Sequence, residues 1–591
     1  MDHSCFKTCW QLEVKRVSKM LKSLRNAMKE AGCDAYFVPR GDMFGGEEVR
    51  PADDRLAQLT GFTGSAGYAL IRQDSAAVFS DSRYTVQLQR QLDTQIFDGF
   101  DAAHTSISTW LGSAADGLVI GYDGWVMSVA QMERLAKQIP AAEWHMIDGN
   151  LVDASWQDRP EYEKREVWQM PDAQAGKTAT QKISEAAKHL ADAQLDGQLI
   201  TAPDSVNWLI NMRGHDLAHT PLHLCFGLLH SSGDLQLIGA DADASDWGYE
   251  IHGFDALAAL LSSFSGLTLL MDKSSCPQAV AALAEAAGIS IKWQADPIET
   301  AKAIKSPAEI DGFRAAHISD ALAFLAFWHW LETEADLAVL READLAVHLT
   351  NFRAANPDFL CESFPAIIGF KDNGAVVHYR AVSGSDAALT DGGVLLIDSG
   401  GHYRSGTTDI TRSFALMGTA PKEAIAASSH VLAAHITLAQ TKFPVGTTGA
   451  QLDAICRTPL WAHNMDYGHG TGHGVGHVLS VHEGPMSISK RGQLPIEAGH
   501  LLSNEPGYYQ EGAFGIRHEN LVLAIEDKDG FLAFETITYV PFDLALVDAS
   551  VLSGPQLEWL NNYHSDIYNM LSPFLSVSMA DWLKTKTTAI G

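Results

Sequence analysis

The length of the chain is the strongest constraint on its fold. One hydrophobic core cannot enclose 591 residues, because cores stop growing beyond about 250 to 300 residues and longer chains divide into domains. The hydrophobic share of the composition, 46%, gives each domain enough apolar side chains to bury. We therefore predict a globular protein with more than one domain, about two to four.

Two stretches of sequence divide the chain into three predicted domains. The first stretch is a charged segment, residues 158–165, which we interpret as a linker. The second follows Ile304, where Ser306 or Pro307 suits the beginning of a long helix, with proline in the first turn and acidic side chains near the positive helix end. The predicted domains are residues 1–160, 161–303 and 304–591.

Both N-terminal segments have the pattern of an α/β unit. In the first, apolar residues at helical spacing over residues 12–32 precede a strand-like run, A-Y-F-V-P. In the second, a helix around residues 178–193 precedes the strand L-I-T-A-P and the later run H-L-C-F-G-L-L-H. The shared order of helices and strands favours a duplicated α/β unit.

Composition excludes several classes of protein. The 72 acidic and 42 basic residues give a net charge of −30, which argues against a nucleic-acid binder because that role needs clustered Lys and Arg. Seven scattered cysteines without C-x-x-C spacing predict reduced thiols. Since we find neither a signal-like N-terminus nor an apolar run of about 18 residues, we expect a cytoplasmic protein without a membrane segment.

Two aspartates of the third predicted domain are candidate metal ligands. Asp398 ends a buried apolar strand, G-V-L-L-I-D-S-G, and Asp409 follows eleven residues later on what we expect to be the partner strand of a hairpin. Two carboxylates that face each other repel unless a cation lies between them, which favours a metal. For either aspartate alone, a turn or capping role is the simpler interpretation.

A segment rich in glycine and histidine supplies a candidate imidazole ligand. In Y-G-H-G-T-G-H-G-V-G-H, His469, His473 and His477 are four residues apart, as on one helix face. The intervening glycines each cost a helix about 1 kcal/mol, so we predict a tightly packed loop in which glycine lets the backbone approach a ligand closely. The spacing does not match the dinucleotide fingerprint, and an exposed flexible loop with incidental histidines is the alternative.

Two glutamates complete the candidate ligand set. Glu505 follows an apolar run in H-L-L-S-N-E-P, and Glu519 interrupts a strand-like stretch in G-I-R-H-E-N-L-V-L. A buried carboxylate needs a partner, and Arg517 offers one of them a purely structural ion pair as the alternative to a metal. The zinc-protease motif H-E-x-x-H is absent from the sequence.

Together, five residues offer four carboxylates and one imidazole: Asp398, Asp409, His473, Glu505 and Glu519. Mainly hard oxygen donors favour Mn²⁺ or Co²⁺ over structural zinc, and four negative charges balance two divalent cations. Ions about 3.5 to 4 Å apart lower the pKa of a bridging water, so that hydroxide is available at neutral pH. We therefore expect a two-metal hydrolytic site.

The order of these five residues resembles the ligand set of the pita-bread metallopeptidases, which include methionine aminopeptidase, prolidase and aminopeptidase P. Other motifs extend the resemblance to the three-domain Xaa-Pro aminopeptidases: R-L-A-Q-L-T-G-F-T-G-S-A-G, F-S-D-S-R-Y, D-S-V-N-W-L-I-N-M-R-G, A-I-K-S-P-A-E-I-D-G-F-R-A-A-H, V-H-E-G-P, L-L-S-N-E-P-G-Y-Y and W-L-N-N-Y-H. The resemblance implies α/β and α+β domains, namely two creatinase-type N-terminal α/β domains followed by a pita-bread catalytic domain with a curved, mainly antiparallel sheet backed by helices.

The resemblance also implies how the ligands divide between two metals. Asp398 would chelate one metal, and His473 and Glu505 would bind the other. Asp409 and Glu519 would bridge both. Manganese is the first expectation for the metal, with cobalt or zinc as alternatives.

Further catalytic roles follow from the same resemblance. His378, His469 and His482 match the remaining active-site histidines of the family, for which we expect proton transfer, orientation of the scissile carbonyl and lining of the proline site. Glu505 would take and pass on a proton, and Arg517 would orient a ligating carboxylate. For each histidine alone, a hydrogen-bonded structural role is an equal alternative.

The implied reaction is hydrolysis of the bond between an N-terminal residue and a following proline, by hydroxide bridging two divalent metals. The implied partners are peptides with proline at the second position and a second copy of the chain in a homodimer, without nucleic acid or membrane. Arg380 and His477 depart from the expected pattern and leave subsite preference open. Prolidase, which accepts only dipeptides ending in proline, is the nearest alternative, and a metal-free creatinase-like relative is a more remote one.

Overall fold

The computed structural model describes residues 3–162, 166–239 and 248–591, with side chains from residue 16 onward. The described residues form two compact units: an N-terminal unit (residues up to 170, 177–218 and 222–298) and a C-terminal unit (residues 171–176, 219–221 and 299–591). Residues 163–165 of the predicted linker lie outside the described residues. The boundary that we place at residue 160 stays a prediction.

A six-stranded mixed sheet forms the first part of the N-terminal unit, in the order β4-β3-β2-β1-β5-β6. The β1–β2 and β2–β3 pairs are antiparallel, and the other three pairs are parallel. The strands are β1 Ala35–Pro39, β2 Tyr68–Arg72, β3 Ala76–Ser80, β4 Asp98–Asp101, β5 Val119–Asp123 and β6 Glu143–Ile147. The helices are α1 His3–Glu30, α2 Arg55–Thr60, α3 Thr85–Gln91, α4 Ile107–Leu111 and α5 Val129–Gln138.

The second part of this unit repeats the arrangement, in the order β12-β11-β10-β8-β13-β14 and with the same strand directions at each position. Its strands are β7 Val167–Gln169, β8 Gly197–Ile200, β9 Met212–Gly214, β10 Cys225–His230, β11 Leu235–Gly239, β12 Ile251–His252, β13 Thr268–Met271 and β14 Ser290–Trp293. Its helices are α7 Ala179–Asp192, α8 Pro203–Leu209, α9 Leu257–Ser262 and α10 Gln278–Ala286, whereas α6 Asp172–Ala175 belongs to the C-terminal unit. The repeated topology confirms the duplicated α/β layout.

Strands of the C-terminal unit pair antiparallel in every described ladder, with the largest sheet in the order β21-β28-β27-β24-β22-β23 and a smaller one in the order β16-β17-β20. The strands are β15 Phe359–Glu362, β16 Ile367–Phe370, β17 Gly393–Ser399, β18 Gly401–Tyr403, β19 Gly406–Thr407, β20 Ile410–Leu416, β21 Phe443–Pro444, β22 Gly472–Gly474, β23 Glu483–Ile488, β24 Leu501–Asn504, β25 Gly507–Gln510, β26 Phe514–Arg517, β27 Asn520–Glu526 and β28 Phe531–Thr536. The helices are α11 Pro297–Ala303, α12 Pro307–Thr333, α13 Glu342–Ala354, α14 Lys422–Ala439, α15 Gly449–Trp461, α16 Gly554–Leu571 and α17 Val577–Lys586.

The long helix α12 begins where the sequence predicts. Ser306 Oγ accepts a hydrogen bond from Glu309 N at 3.3 Å, and Glu309 Oε2 accepts one from Ser306 N at 2.8 Å. This capping box satisfies backbone donors that the first helical turn leaves free. Further along α12, the buried side chains Phe324 and Trp328 pack on Phe414 of β20 and so fix the β17–β20 pair against the helix.

Replacing Ser306 with Ala tests the cap. We expect the free energy of unfolding of the C-terminal unit to fall by about 1 kcal/mol, because Glu309 N loses its acceptor. Urea unfolding followed by circular dichroism measures the change. Ser565→Ala, an exposed serine within α16, is the control and should leave the midpoint unchanged; equal midpoints for both variants would contradict the assigned cap.

Candidate metal centre

Strand ends of the C-terminal unit carry the five predicted ligands. Asp398 lies near the end of β17, Asp409 directly precedes β20, and His473 is the central residue of β22. Glu505 directly follows β24, and Glu519 lies in the two-residue gap between β26 and β27. Asp398, Asp409 and Glu519 are buried, whereas His473 and Glu505 are half-buried.

The register of β17 and β20 corrects two local predictions. Asp398 pairs with Thr411, and Asp409 is two residues before Thr411, so Asp409 neither lies within the partner strand nor faces Asp398 directly. The β18–β19 hairpin occupies the residues between the two aspartates and displaces Asp409 to the strand's start. Similarly, Glu519 does not lie inside a strand, because the chain leaves β26 two residues before β27 begins.

Three of the predicted ligands form a compact group. One donor atom each from Asp409, His473 and Glu519 lies within 4.8 Å of the others. His473 Nδ1 is 2.8 Å from the carbonyl oxygen of Gly474, and in the tautomer in which Nδ1–H donates to that oxygen, Nε2 carries the lone pair that a metal ion would bind. That Nε2 atom is 3.6 Å from Asp409 Oδ2 and 3.5 Å from Glu505 Oε1, so the fourth carboxyl also borders the group.

Arg517 connects the remaining aspartate to this group. Its Nη2 donates to Asp398 Oδ2 at 2.5 Å, and its Nε donates to Thr411 Oγ1 at 3.2 Å. Thr411 Oγ1 in turn donates to Glu519 Oε2 at 2.8 Å. The ion partner of Arg517 is therefore Asp398 rather than Glu505 or Glu519, and Arg517 orients Glu519 through the threonine hydroxyl.

Burial and mutual repulsion together shape the electrostatics of the carboxyl groups. Burial, followed by the charges of Glu519 and Asp398, raises the pKa of Asp409 well above its usual range. Burial and the charges of Glu505 and Asp398 do the same to the pKa of Glu519, and burial raises the pKa of Glu505 to about 7. Without cations, these groups hold protons at a pH where exposed carboxyls have lost them.

The donors present fit divalent metal ions. Asp398 Oδ1 is buried and accepts no hydrogen bond from the described residues, although Oδ2 of the same carboxylate is paired with Arg517. Such an atom is costly to bury unless a cation or water completes it. The compact group of Asp409, His473 and Glu519 has nearly the spacing that donors about 2.1 Å from one cation require.

Two of the predicted catalytic histidines border the ligands. His469 Nδ1 is 2.7 Å from the carbonyl of Gly470 and 3.7 Å from Glu505 Oε2, and its Nε2 is 2.8 Å from the Tyr509 hydroxyl. The exposed ring of His482 lies 4.3 Å from the ring of His473 between centroids.

The third predicted histidine, His378, is half-buried and lies beside Val377, whose carbonyl accepts from Arg517 Nη2 at 3.4 Å.

The glycines of the histidine segment serve close backbone packing. A Cβ atom added to Gly472 would lie 1.9 Å from the carbonyl oxygen of Ser503 in β24, and one added to Gly474 would lie 2.5 Å from that of Glu483 in β23. The segment is not helical, as predicted, but it contains the short strand β22. Glycine at these positions therefore lets the backbone of β22 lie close to β23 and β24. The sequence analysis instead predicted that glycine lets the backbone approach a ligand.

Arg380 and His477, which depart from the expected family pattern, both contact backbone carbonyls. The Arg380 guanidinium donates to the carbonyl of Pro365. His477 is buried, with Nε2 2.8 Å from the carbonyl of Ser405 and its ring edge-on to Phe313. These contacts do not involve the five predicted ligands.

Three further polar residues were missed by sequence reasoning. The Tyr509 hydroxyl accepts from Arg517 Nη1 at 2.6 Å, and Thr411 links Arg517 to Glu519. Arg412 is fully buried and donates to the carbonyl of Glu519 at 2.5 Å. The sequence could have pointed to Thr411 and Arg412, because they are polar residues in the buried strand β20. Nothing in the sequence distinguishes Tyr509 from other strand residues.

Family models match most of the chain. The model of metallopeptidase family M24 matches residues 311–526, and that of the C-terminal region of peptidase M24 matches residues 530–590. Two models of the creatinase/prolidase N-terminal domain match residues 20–154 and 158–309.

Relatives align over nearly the whole chain. Aminopeptidase P2 of Arabidopsis thaliana is 34% identical over 97% of this chain and 88% of its own length. This chain belongs to metallopeptidase family M24. A probable Xaa-Pro aminopeptidase P of Fusarium vanettenii is 35% identical over 96% of this M24 chain and 98% of its own length. The predicted family and the fold class, two creatinase-type domains followed by a pita-bread domain, are confirmed.

A solved structure matches this M24 chain over its length. The X-prolyl aminopeptidase of Caenorhabditis elegans, described as a cytosolic enzyme with a di-nuclear active site, is 28% identical and has a TM-score of 0.91. The match covers 98% of this chain and 100% of the nematode chain.

Two findings concern membrane segments and cysteine thiols. Among the described residues, no helix has the length and apolarity needed to cross a membrane. The five cysteines whose side chains the structure describes, namely Cys33, Cys225, Cys276, Cys361 and Cys456, are all free thiols, as predicted.

The raised carboxyl pKa values predict how metal binding depends on pH. Between the unfolded pKa, about 4.3, and the raised folded values, the folded metal-free protein holds more protons than the unfolded chain, so its stability falls as pH rises. Metal relieves the repulsion that deprotonation creates. We therefore expect MnCl₂ to raise the melting temperature of chelator-treated protein more at about pH 8 than at about pH 5.5.

Differential scanning fluorimetry with and without metal at each pH measures this increment. Comparing the melting temperatures with and without metal at the same pH cancels the contribution of buried histidines, such as His435, that titrate alike in both forms. His473→Ala is the matched variant and should show a smaller increment at both pH values. An increment that does not change with pH would contradict the assigned carboxyl cluster.

Proposed function

We propose that this chain is a metal-dependent Xaa-Pro aminopeptidase, which hydrolyses the bond between an N-terminal residue and a following proline. The observation that carries the proposal is the convergence of four carboxyls and one imidazole in a chain that aligns end to end with Xaa-Pro aminopeptidases. The proposed domains are residues 1–160, 161–303 and 304–591, the last being catalytic.

Two divalent cations are proposed for the site, with manganese as the first candidate and cobalt or zinc as alternatives. Asp398 would bind one cation, His473 and Glu505 the other, and Asp409 and Glu519 both. The cations would supply Lewis acidity and lower the pKa of bound water. The mainly oxygen donor set supports manganese.

Glu505 is proposed as the proton carrier. A carboxylate beside metal-bound water would be placed to take a proton from it and pass that proton on. The neighbouring Ser503 hydroxyl donates to its Oε1 at 3.3 Å and holds that oxygen in place.

A directed series of hydrogen bonds supports an active-site role for His469, because it holds the ring beside Glu505. Arg517 donates to the Tyr509 oxygen, the Tyr509 hydroxyl can donate to His469 Nε2, and His469 Nδ1–H donates to the carbonyl of Gly470. Burial raises the pKa of Tyr509 to about 12, so the hydroxyl keeps its proton. The series fixes the orientation of the His469 ring beside Glu505. Proton transfer, orientation of the scissile carbonyl and lining of the proline site are the roles proposed for His378, His469 and His482.

Proline at the second position explains the specificity that we propose. The peptide bond before proline is a tertiary amide without an N–H group. A peptidase that must bind this N–H group therefore cannot cleave the bond. A pocket for the ring converts the same feature into selection. Prolidase is the nearest alternative, and the two separate creatinase-type matches favour the longer aminopeptidase architecture.

A cytoplasmic location and a homodimer belong to the same proposal. The free cysteines and the cytosolic description of the nematode enzyme support the location. The homodimer rests on the family resemblance, and light scattering of the purified chain would measure it.

Replacing Glu505 with Gln tests the proton carrier. We expect kcat for Arg-Pro-Pro to fall about 10²- to 10⁴-fold, because the amide has the shape of the acid but cannot accept the proton. Steady-state release of arginine from manganese-loaded protein measures the rate. Glu526→Gln, an exposed glutamate at the end of β27, should retain the wild-type rate.

The same assay separates the aminopeptidase from prolidase. Hydrolysis of Arg-Pro-Pro supports the aminopeptidase, whereas hydrolysis of Gly-Pro without cleavage of the tripeptide would assign the chain to prolidase. Wild-type activity in Glu505→Gln would refute the proposed role of Glu505.

A further inference from the structure

Two lysines and one glutamate are buried together next to the histidine segment. Glu483 Oε1 accepts from Lys302 Nζ at 2.9 Å, and Glu483 Oε2 accepts from Lys305 Nζ. The exposed side-chain fractions are 0% for Glu483, 4% for Lys302 and 1% for Lys305. We call these residues the lysine–glutamate cluster; it joins the end of α11 and the approach to α12 to the first residue of β23.

Stability alone is a poor explanation for this cluster. Removing charges from water is expensive, and well-packed apolar residues of similar volume often give equal or greater stability than a buried ion group. Directional bonds from two ammonium groups to one carboxylate do, however, define where that carboxylate lies. Lys305 Nζ also donates to the backbone carbonyl of Lys302 at 3.0 Å, which fixes the Lys305 side chain relative to the end of α11.

The cluster is adjacent to a predicted catalytic residue. His482 directly precedes Glu483, and exposure alternates along the chain: Val481 is buried, His482 exposed and Glu483 buried. Residues 481 and 482 lie in a bend that leads directly into β23, whose first residue is Glu483, so the position of Glu483 limits the course of the backbone at His482. Anchoring the Glu483 carboxylate on the buried side therefore sets the direction in which the His482 ring projects, towards the His473 ring 4.3 Å away.

The same anchor contacts the residue that holds His473. Glu483 pairs with Gly474 across β22 and β23, at a register shift between His473 and Gly474. The Gly474 carbonyl is the acceptor for His473 Nδ1. A Cβ atom at Gly474 would lie 2.5 Å from the Glu483 carbonyl oxygen, so the two backbones are in close contact.

We propose that Glu483, held by Lys302 and Lys305, is a positioning residue that fixes the His482 ring against His473. Glu483 points away from the ligands and acts through its neighbour. The consequence for catalysis rests on the proposed Xaa-Pro aminopeptidase function, whereas the consequence for ring geometry does not.

A double-mutant cycle distinguishes positioning from a structural role. Glu483→Gln should lower kcat for Arg-Pro-Pro about 10- to 100-fold, the usual cost of losing a residue that orients a site group. In a His482→Ala background, the same change should alter kcat less than about threefold, because the ring that Glu483 positions is already absent. Equal losses in both backgrounds would overturn the proposal.

A matched control comes from the N-terminal unit. Asp53 is a buried carboxylate paired with Arg50 at 3.0 Å and Arg55 at 3.3 Å. Asp53→Asn also removes the charge of a buried, ion-paired carboxylate, and it should leave kcat unchanged. A fall in kcat equal to that of Glu483→Gln would mean that any lost buried ion pair slows the enzyme.

Crystal structures provide a readout that is independent of activity. In metal-free Glu483→Gln, the centroid distance between His473 and His482 should depart from the wild-type 4.3 Å or the His482 ring should occupy more than one orientation. An unmoved ring would overturn the proposal. If wild-type protein fails to cleave Arg-Pro-Pro, the proposed function falls, and this structural comparison still decides the positioning role.

A triple variant, Lys302→Met with Lys305→Met and Glu483→Met, covers the case in which Glu483→Gln does not fold. The apolar replacement should melt at or above the wild-type temperature, because it removes the desolvation cost of three charges. The His482 ring should still leave its wild-type position, and kcat for Arg-Pro-Pro should still fall about 10- to 100-fold. Wild-type ring geometry in this variant would overturn the proposal.

Discussion

Four carboxyl groups that repel one another lie in the C-terminal unit, and the surrounding structure depends on balancing that repulsion. Burial, together with this repulsion, raises the pKa of Asp409, Glu505 and Glu519. Arg517 forms its ion pair with Asp398 Oδ2, and its positive charge also acts to lower the pKa of Asp409, Glu505 and Glu519 against the larger effect of burial. In the metal-free protein, bound protons reduce the remaining charge, and in the proposed two-metal site cations would take their place.

Antiparallel strands bring these groups together, and buried hydrogen bonds hold the strand ends in place. Arg412 bonds the carbonyl of Glu519 and the Asn520 side chain, and His435 Nδ1 lies 3.0 Å from the carbonyl of Asn504, directly before Glu505. Metal-binding residues placed this way need little rearrangement to receive ions. Preorganisation of this kind is what hydrolytic metal sites require, because misplacing a ligand costs both affinity and rate.

The sequence predicted the secondary-structure elements and the candidate ligands better than it predicted how neighbouring strands align. Ser306 starts α12, and Asp398 lies near the end of an apolar strand, because capping chemistry and apolar runs are local signals. Asp409 was placed within a strand and opposite Asp398, since the β18–β19 hairpin that shifts it leaves no clear mark in the sequence. Tyr509 and Thr411 were missed because their roles come from contacts with Arg517 that only the fold creates.

Anomalous X-ray scattering at the manganese edge tests the central claim most directly. Crystals of manganese-loaded protein should show two peaks about 3.5 to 4 Å apart, bordered by Asp398, Asp409, His473, Glu505 and Glu519. A single peak, or peaks bordered by other residues, would contradict the account that mutual repulsion among these carboxyls is balanced by a pair of cations.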